Sequence, residues 1–254
     1  ERRQVYFDNL TLSQGTSSTN LFLYTIENNR ATITGVLGSA TGDIIVPAAL
    51  GGYAVGAVGR AAFKDLTNIT SIAFAGGSTV TNLGPAAFQG CTALAVAALP
   101  SGTTALPAGL FQDCSSLAAV SIPTGVTAIG NAAFAECRSL ASVTLPPGLY
   151  SLGESVFLNC RSLATLAIPA GITSIPGQLC YECENLSALT LPAGVTNIGY
   201  AAFFNCRALA GLSLPAASGP SVTMASHPTD PAAKLLVISG RDAQELKRAA
   251  TALA

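Results

Sequence analysis

The chain has 254 residues, of which 50% are hydrophobic and only 10% charged, with a formal net charge of −1. With so little charge, and no Lys/Arg cluster larger than the Arg2-Arg3 pair, there is no field to gather nucleic acid. Mean hydropathy is high at +0.50, yet Gly, Pro, Thr and Ser break every apolar run short of the roughly 18 residues a membrane-crossing helix needs.

The opening ERRQVYFDNL has no apolar stretch of the signal-peptide kind, which fits either a removed signal or a cytosolic protein. Residues 1–40 are expected to form an N-terminal cap, with YTIENNRATITGV (24–36) as a strand pair. Residues 41–215 are expected to be stacked coils. GDIIVPAALGGYAVGAVGRAAFKDL (42–66) reads as a first coil enlarged by about five residues, with Leu66 in the phase later held by cysteine, and ITSIAF (69–74) opens a longer second coil. From 91 to 215 the period is a strict 23 residues: Cys91, Cys114, Cys137, Cys160, Cys183 and Cys206 share one phase. Phe88, Phe111, Phe134, Phe157 and Phe203 share another, with Cys180 standing where a phenylalanine is missing. Leu94 to Leu209 and Pro100 to Pro215 mark two more columns.

One unit, LAAVSIPTGVTAIGNAAFAEC (117–137), lays out the coil. Leu117, Val120 and Ile122 alternate as the inward side of a short strand. Thr124-Gly125 bends the chain after Pro123, and Val126 and Ile129 supply the next wall. The AFxxC segment, too short for a free-standing helix, is predicted as a tight helical or 3₁₀ turn. Beyond the coils, 216–254 is read as a loop (AASGPSVTMASHPTDP, 216–231), a strand from Leu235 to Ile238 and a helix starting near Asp242, with Leu246, Ala249, Ala250 and Leu253 on one face. Exposed coil ends need such caps.

The pattern L-x-x-V-x-I-P-x-G-V-x-x-I-G-x-x-A-F-x-x-C resembles the BspA-like, or treponemal-type, leucine-rich repeat family, strictly over 91–215 and loosely from about 24. The resemblance implies a right-handed leucine-rich-repeat superhelix, with short parallel β-strands on a concave face and 3₁₀ or short helical turns on a convex one. It also implies a bacterial or protist protein of the cell surface, periplasm or secreted space, engaged in adhesion or protein interaction.

Stacking decides how the cysteines are read. Equivalent residues one coil apart lie about 4.8 Å from each other with parallel side chains, so the six thiols form a column beside the phenylalanines, each a small hydrophobe. Disulfides between neighbours are the alternative that Cα spacing permits, but parallel side chains do not converge as a bond requires. Zinc would need four converging ligands, and the CxxC of Cys180 and Cys183 has no second pair and a single His in the chain. The same pair could be read as a redox motif, although the repeat phase accounts for both members, with Leu179 filling space beside Cys180. His227 lies with Ser226 and Asp230 in one short segment, where a triad cannot converge; no cofactor motif is found. The charged residues between 91 and 215, from Asp113 to Arg207, all fall around the Phe and Cys phases. Asn9, Asn68 and Asn185 head N-x-S/T triplets, which matter only in a glycosylating host.

The strand phase then names the outward face: Asp43/Ile45, Ser71/Ala73, Val96/Ala98, Ala119/Ser121, Ser142/Thr144, Thr165/Ala167, Ala188/Thr190 and Gly211/Ser213. Only Asp43 is charged and none is aromatic, so the expected working surface is smooth and small-residued. The sequence is therefore read as a non-enzymatic module with no cofactor and no metal, binding a protein partner or itself through this face, with a lipid-like ligand or thiol redox chemistry at Cys180/Cys183 as alternatives.

Overall fold

The computed structural model describes residues 5–6, 22–37, 40–209, 221–226 and 234–239. The expected C-terminal helix with Leu246, Ala249, Ala250 and Leu253, the face positions Gly211 and Ser213, and His227 lie outside the described residues.

Among the described residues there is no helix; the secondary structure is strands and turns. The strands are β1 (Val5–Tyr6), β2 (Phe22–Glu27), β3 (Arg30–Val36), β4 (Gly42–Val46), β5 (Ala49–Leu50), β6 (Tyr53–Val58), β7 (Ile69–Phe74), β8 (Asn82–Leu83), β9 (Val96–Ala98) and β10 (Ala105–Leu106). They continue as β11 (Ala119–Ser121), β12 (Ala128–Ile129), β13 (Ser151–Leu152), β14 (Thr165–Ala167), β15 (Ser174–Ile175), β16 (Ala188–Thr190), β17 (Asn197–Ile198), β18 (Ser221–Ser226) and β19 (Lys234–Ser239). The coils make a β-solenoid of about seven turns.

Each coil has three sides, and each side is hydrogen-bonded to the next coil by a different device. On the first side, β4, β7, β9 and β11 form a parallel sheet in which equivalent residues of successive coils face each other, Asp43 against Ser71, Ser71 against Val96 and Val96 against Ala119. β14 and β16 continue it as a separate pair. On the second side, two-residue strands stack in parallel, β10 to β12 to β13 and β15 to β17. The sequence reading has a wall there but not a strand ladder; the recurring β-branched pattern around Val126 and Ile129 is the signal for it.

The third side holds the AFxxC segment, which closes in tight turns without a continuous helical or 3₁₀ ladder. Phe134 N–H donates to Val156 O (3.0 Å) and Glu136 N–H to Leu158 O (2.8 Å), both in the next coil. The intervening Ala135 and Cys137 N–H groups donate three residues back, to Ala132 O and Phe134 O. Alternate amides thus run along the solenoid rather than around the bend, which is incompatible with a continuous helical ladder. Left-handed residues at both ends of the segment, Ala132 (φ 54°) and Glu136 (φ 63°), enforce the alternation. The column before each cysteine repeats it through Asp113, Asn159, Glu182 and Asn205, a position suited to the short polar side chains of Asp and Asn.

At the front, β2 and β3 form an antiparallel hairpin over Asn28-Asn29 with φ of 50° and 60°, the positive-φ turn that strand twist favours. β3 then lies parallel to β6 and extends the second side. The enlargement of the first coil is a second hairpin, β5 against β6, turning at Gly51-Gly52 with φ of 56° and 83°. At the back, the stretch 216–231 is not simply a loop: Ser221–Ser226 is a strand, paired antiparallel with β19 through six residue pairs. SVTM (221–224) alternates polar and apolar residues, and that period of two outweighs the flanking Pro and Gly.

Columns of identical side chains fill the interior. Phe63, Phe88, Phe111, Phe134 and Phe157 stack face to face with ring centroids 5.1–5.7 Å apart. The stack ends at Cys180, where Leu179 is buried as well. The wall column Val80, Val126, Leu149 and Ile172 is interrupted by Thr103, whose buried Oγ1 has no hydrogen-bond partner. A buried hydroxyl with no partner forfeits its hydration and gains nothing in return. Thr103→Val, which keeps the shape, is therefore expected to stabilise the protein by about 1–2 kcal/mol, read as a raised urea midpoint at unchanged slope.

Candidate interaction face

The first side of the solenoid presents the face anticipated from the sequence. Asp43, Ile45, Val96, Ala98, Ala119 and Ser121 are exposed on β4, β9 and β11; Ser142 and Thr144 are exposed in the coil between β11 and β14. Thr165, Ala167, Ala188 and Thr190 are exposed on β14 and β16, while Ser71 and Ala73 on β7 are half-buried. Of the residues between them, Ile44, Ile72, Ala97, Leu166 and Leu189 are buried, as strand alternation requires, while Val120 and Val143 are half-buried. No aromatic ring interrupts this described surface.

The face divides into two parts. Its N-terminal part is the more apolar, with Ile45 and Val96 exposed by 51% and 49%. Its only carboxylate, Asp43, accepts hydrogen bonds from Ser71 Oγ (2.7 Å) and Thr70 Oγ1 (2.9 Å), and these hold its pKa below the usual carboxylate value. In the C-terminal part the sheet is interrupted. Ser142–Leu145 form no strand, and one isolated bridge, Ser142 to Thr165, replaces the ladder. Over the interruption lies an open depression of about 300 Å³, its rim carrying the hydroxyls of Ser142, Thr144, Thr165 and Thr190 and its floor Val143, Leu145 and Leu166.

The cysteines are not available for chemistry. All seven are free and buried. They are also more than small hydrophobes, because each thiol of the column donates to a main-chain carbonyl in the coil before it. Cys137 Sγ reaches Phe111 O at 3.2 Å and Cys160 Sγ reaches Phe134 O at 3.1 Å. The same bond recurs from Cys91 to Phe63, Cys114 to Phe88 and Cys183 to Phe157, and Cys206 binds the carbonyl of Cys180, which occupies the missing Phe place. A Phe-phase carbonyl such as that of Phe134 also accepts its own coil's turn amide, from Cys137, so the thiol takes its second lone pair. Sequence reasoning placed the column but could not see the bond, since the acceptor is main chain. Burial pushes the thiols of Cys137, Cys160, Cys180 and Cys206 above the ordinary cysteine value. A thiolate is the reactive form, so a dithiol active site at Cys180/Cys183 finds no support. Native protein should react with a thiol reagent only on the timescale of unfolding, whereas seven thiols should titrate at once in denaturant; a rapid native pair would contradict this.

Charged side chains line the third side. Arg138 pairs with Glu136 at 2.9 Å, and Asn159 donates from Nδ2 to both Glu136 oxygens. Arg161 Nε donates to Asn159 Oδ1 at 2.6 Å. The exposed Arg138–Glu136 pair contributes little by itself, whereas Asn159 is buried and ties Glu136 to Arg161; the spacing of these groups follows the coil. Among the described residues no group of three or more His, Cys, Asp or Glu is placed to hold a metal, and no helix is long and apolar enough to cross a membrane.

Comparison with known proteins fits this geometry. The family model for the BspA type leucine rich repeat region matches residues 53–152 and 104–219, with six copies. A second model, for the first FD domain of cellulose synthase BcsB, matches 187–254. A comparison with curated proteins returns no match. Among solved structures, a T. pallidum leucine rich repeat protein is similar at 30% identity with a TM-score of 0.71, over 76% of this chain and 90% of that one. A leucine rich cell surface protein from Faecalibacterium prausnitzii is 20% identical with a TM-score of 0.44, over 84% of this chain and 77% of that one. The pneumococcal vaccine antigen PcpA is 18% identical with a TM-score of 0.49, over 77% and 69%; these last two resemblances carry no argument about function. With the repeat model spanning well over half of its length and the phenylalanine and cysteine columns stacked as the repeat demands, the chain belongs to the BspA-type leucine-rich repeat family.

Proposed function

We propose that this protein is a non-enzymatic interaction module, displayed at the cell surface or in the periplasm, that holds a protein partner against its first side. The observation that carries the reading is the row of small side chains from Ser71 to Thr190, which contains no aromatic or acidic residue. Such a face lets a partner's main chain and larger side chains approach closely. Family membership supports the adhesion or protein-interaction role, and the right-handed winding and concave curvature of that side belong to the same proposal. A lipid-like ligand is less well served, because the depression at Ser142–Leu145 is open and ringed by hydroxyls, whereas apolar ligands favour enclosed apolar pockets.

The test is a binding assay of immobilised protein against a panel of purified extracellular-matrix and serum proteins, run with wild type and with the double variant Thr144→Arg/Thr165→Arg. Two guanidinium groups at the centre of the face should lower binding by at least about ten-fold through steric and desolvation cost. Equal binding by both proteins would move the contact off this face.

A further inference from the structure

The third side carries what the first side lacks. One residue beyond the phenylalanine phase, the column reads Gln89, Gln112, Ala135, Leu158, Tyr181 and Phe204, buried at Ala135, half-buried at Tyr181 and exposed at Phe204, and it changes from amide to aromatic toward the last coils. Tyr181 and Phe204 stack with centroids 4.8 Å apart and planes inclined by 18°. Phe204 is 39% exposed and Tyr200, four residues before it, 55%. The charges beside them are unevenly matched. Arg161 lies 3.6 Å from Glu182 and 3.8 Å from Glu184, one guanidinium shared by two carboxylates. One coil further on, the exposed Arg207 donates from Nε to the neutral Asn205 Oδ1 at 2.8 Å.

We propose that this aromatic rail is the contact surface of a homodimer. Glu184 and Arg207 occupy the same place in successive coils, as do Tyr181 and Phe204. A two-fold axis lying in that surface along the chain direction, between the two coils, therefore sets Glu184 opposite Arg207 of the second copy and Tyr181 opposite Phe204 of the second copy. The surface is its own complement in charge and in ring stacking, the condition for an isologous contact. It supplies the aromatic and arginine anchors that dominate protein contacts. The occupant follows from that match: a surplus acid and a cation that meets no carboxylate among the described residues, one coil apart, are satisfied together by a reversed copy of themselves. This contact is separate from the first side and leaves that side free for the partner proposed above.

Sedimentation velocity over about 5–200 μM, a range that brackets a micromolar dimer, should show wild type passing from monomer to dimer. Phe204→Asp should weaken the dimer by at least about ten-fold, with an unchanged far-UV circular dichroism spectrum. Glu184→Arg and Arg207→Glu should each weaken it about five-fold, and the double variant Glu184→Arg/Arg207→Glu should return to within about two-fold of wild type, because the pair is restored across the axis. Wild type that stays monomeric throughout would overturn the proposal. So would a double variant no tighter than the single ones, or a dimer dissociated by Thr144→Arg/Thr165→Arg instead.

Discussion

Phe134→Ala is expected to cost about 3–5 kcal/mol of stability, because the ring is fully enclosed and its removal leaves a cavity that the flanking coils cannot close. Its neighbours in the stack, Phe111 and Phe157, lie 5.7 and 5.6 Å away and belong to different coils. Each is fixed by its own coil's turn amides and by the coils above and below. Collapse into the void would pull apart main-chain bonds such as Phe134 N–H to Val156 O. Phe134→Leu, which keeps most of the volume, should cost clearly less. Cys137→Ala should cost about 1 kcal/mol, the value of one ordinary hydrogen bond, since it removes the bond to the Phe111 carbonyl and little volume. Urea unfolding of the three variants against wild type measures the order. A cysteine variant as damaging as the alanine at 134 would mean that the sulfur column, not the ring column, holds the stack.

Gly130→Ala should cost about 1–3 kcal/mol through overpacking. At this corner the chain passes so close to the coil before it that an added Cβ would lie 2.6 Å from Ala108 N and 2.9 Å from Pro107 C. Both are main-chain atoms, and the Gly130 N–H to Leu106 O bond of 2.8 Å ties the corner in place, so nothing nearby can give. Gly148 provides the control. A Cβ there meets nothing within 4 Å, and Gly148→Ala should stay within about 0.5 kcal/mol of wild type. Comparing the two by thermal unfolding separates coil-to-coil contact from the general effect of removing a glycine.

What could be read from the sequence was whatever recurs at the period. Phe134, Cys137 and Leu140 announce their burial because their counterparts 23 residues away share it, and strand alternation placed Thr144 and Thr165 on the outside. What escaped depends on partners one coil away. The two-residue strands around Ile129 and Leu152 are too short to show alternation, and their pairing is entirely between coils. The turn of Ala132 to Cys137 has the composition of a short helix, but its alternate amides bond onward along the stack. The clue was present in the run of Asp113, Glu136, Asn159, Glu182 and Asn205 before the cysteines, residues in the left-handed region that a 3₁₀ reading does not need. Nor does the repeat itself explain the interruption at Ser142–Leu145, since that coil keeps the common length.

The bonding of alternate turn amides to the following coil has a mechanical corollary. A pull on the two ends of the chain would load these bonds one coil at a time rather than in concert, so the array should peel from an extremity. In single-molecule extension this would give a sawtooth whose steps each release one repeat, about 8 nm of contour for 23 residues at full stretch.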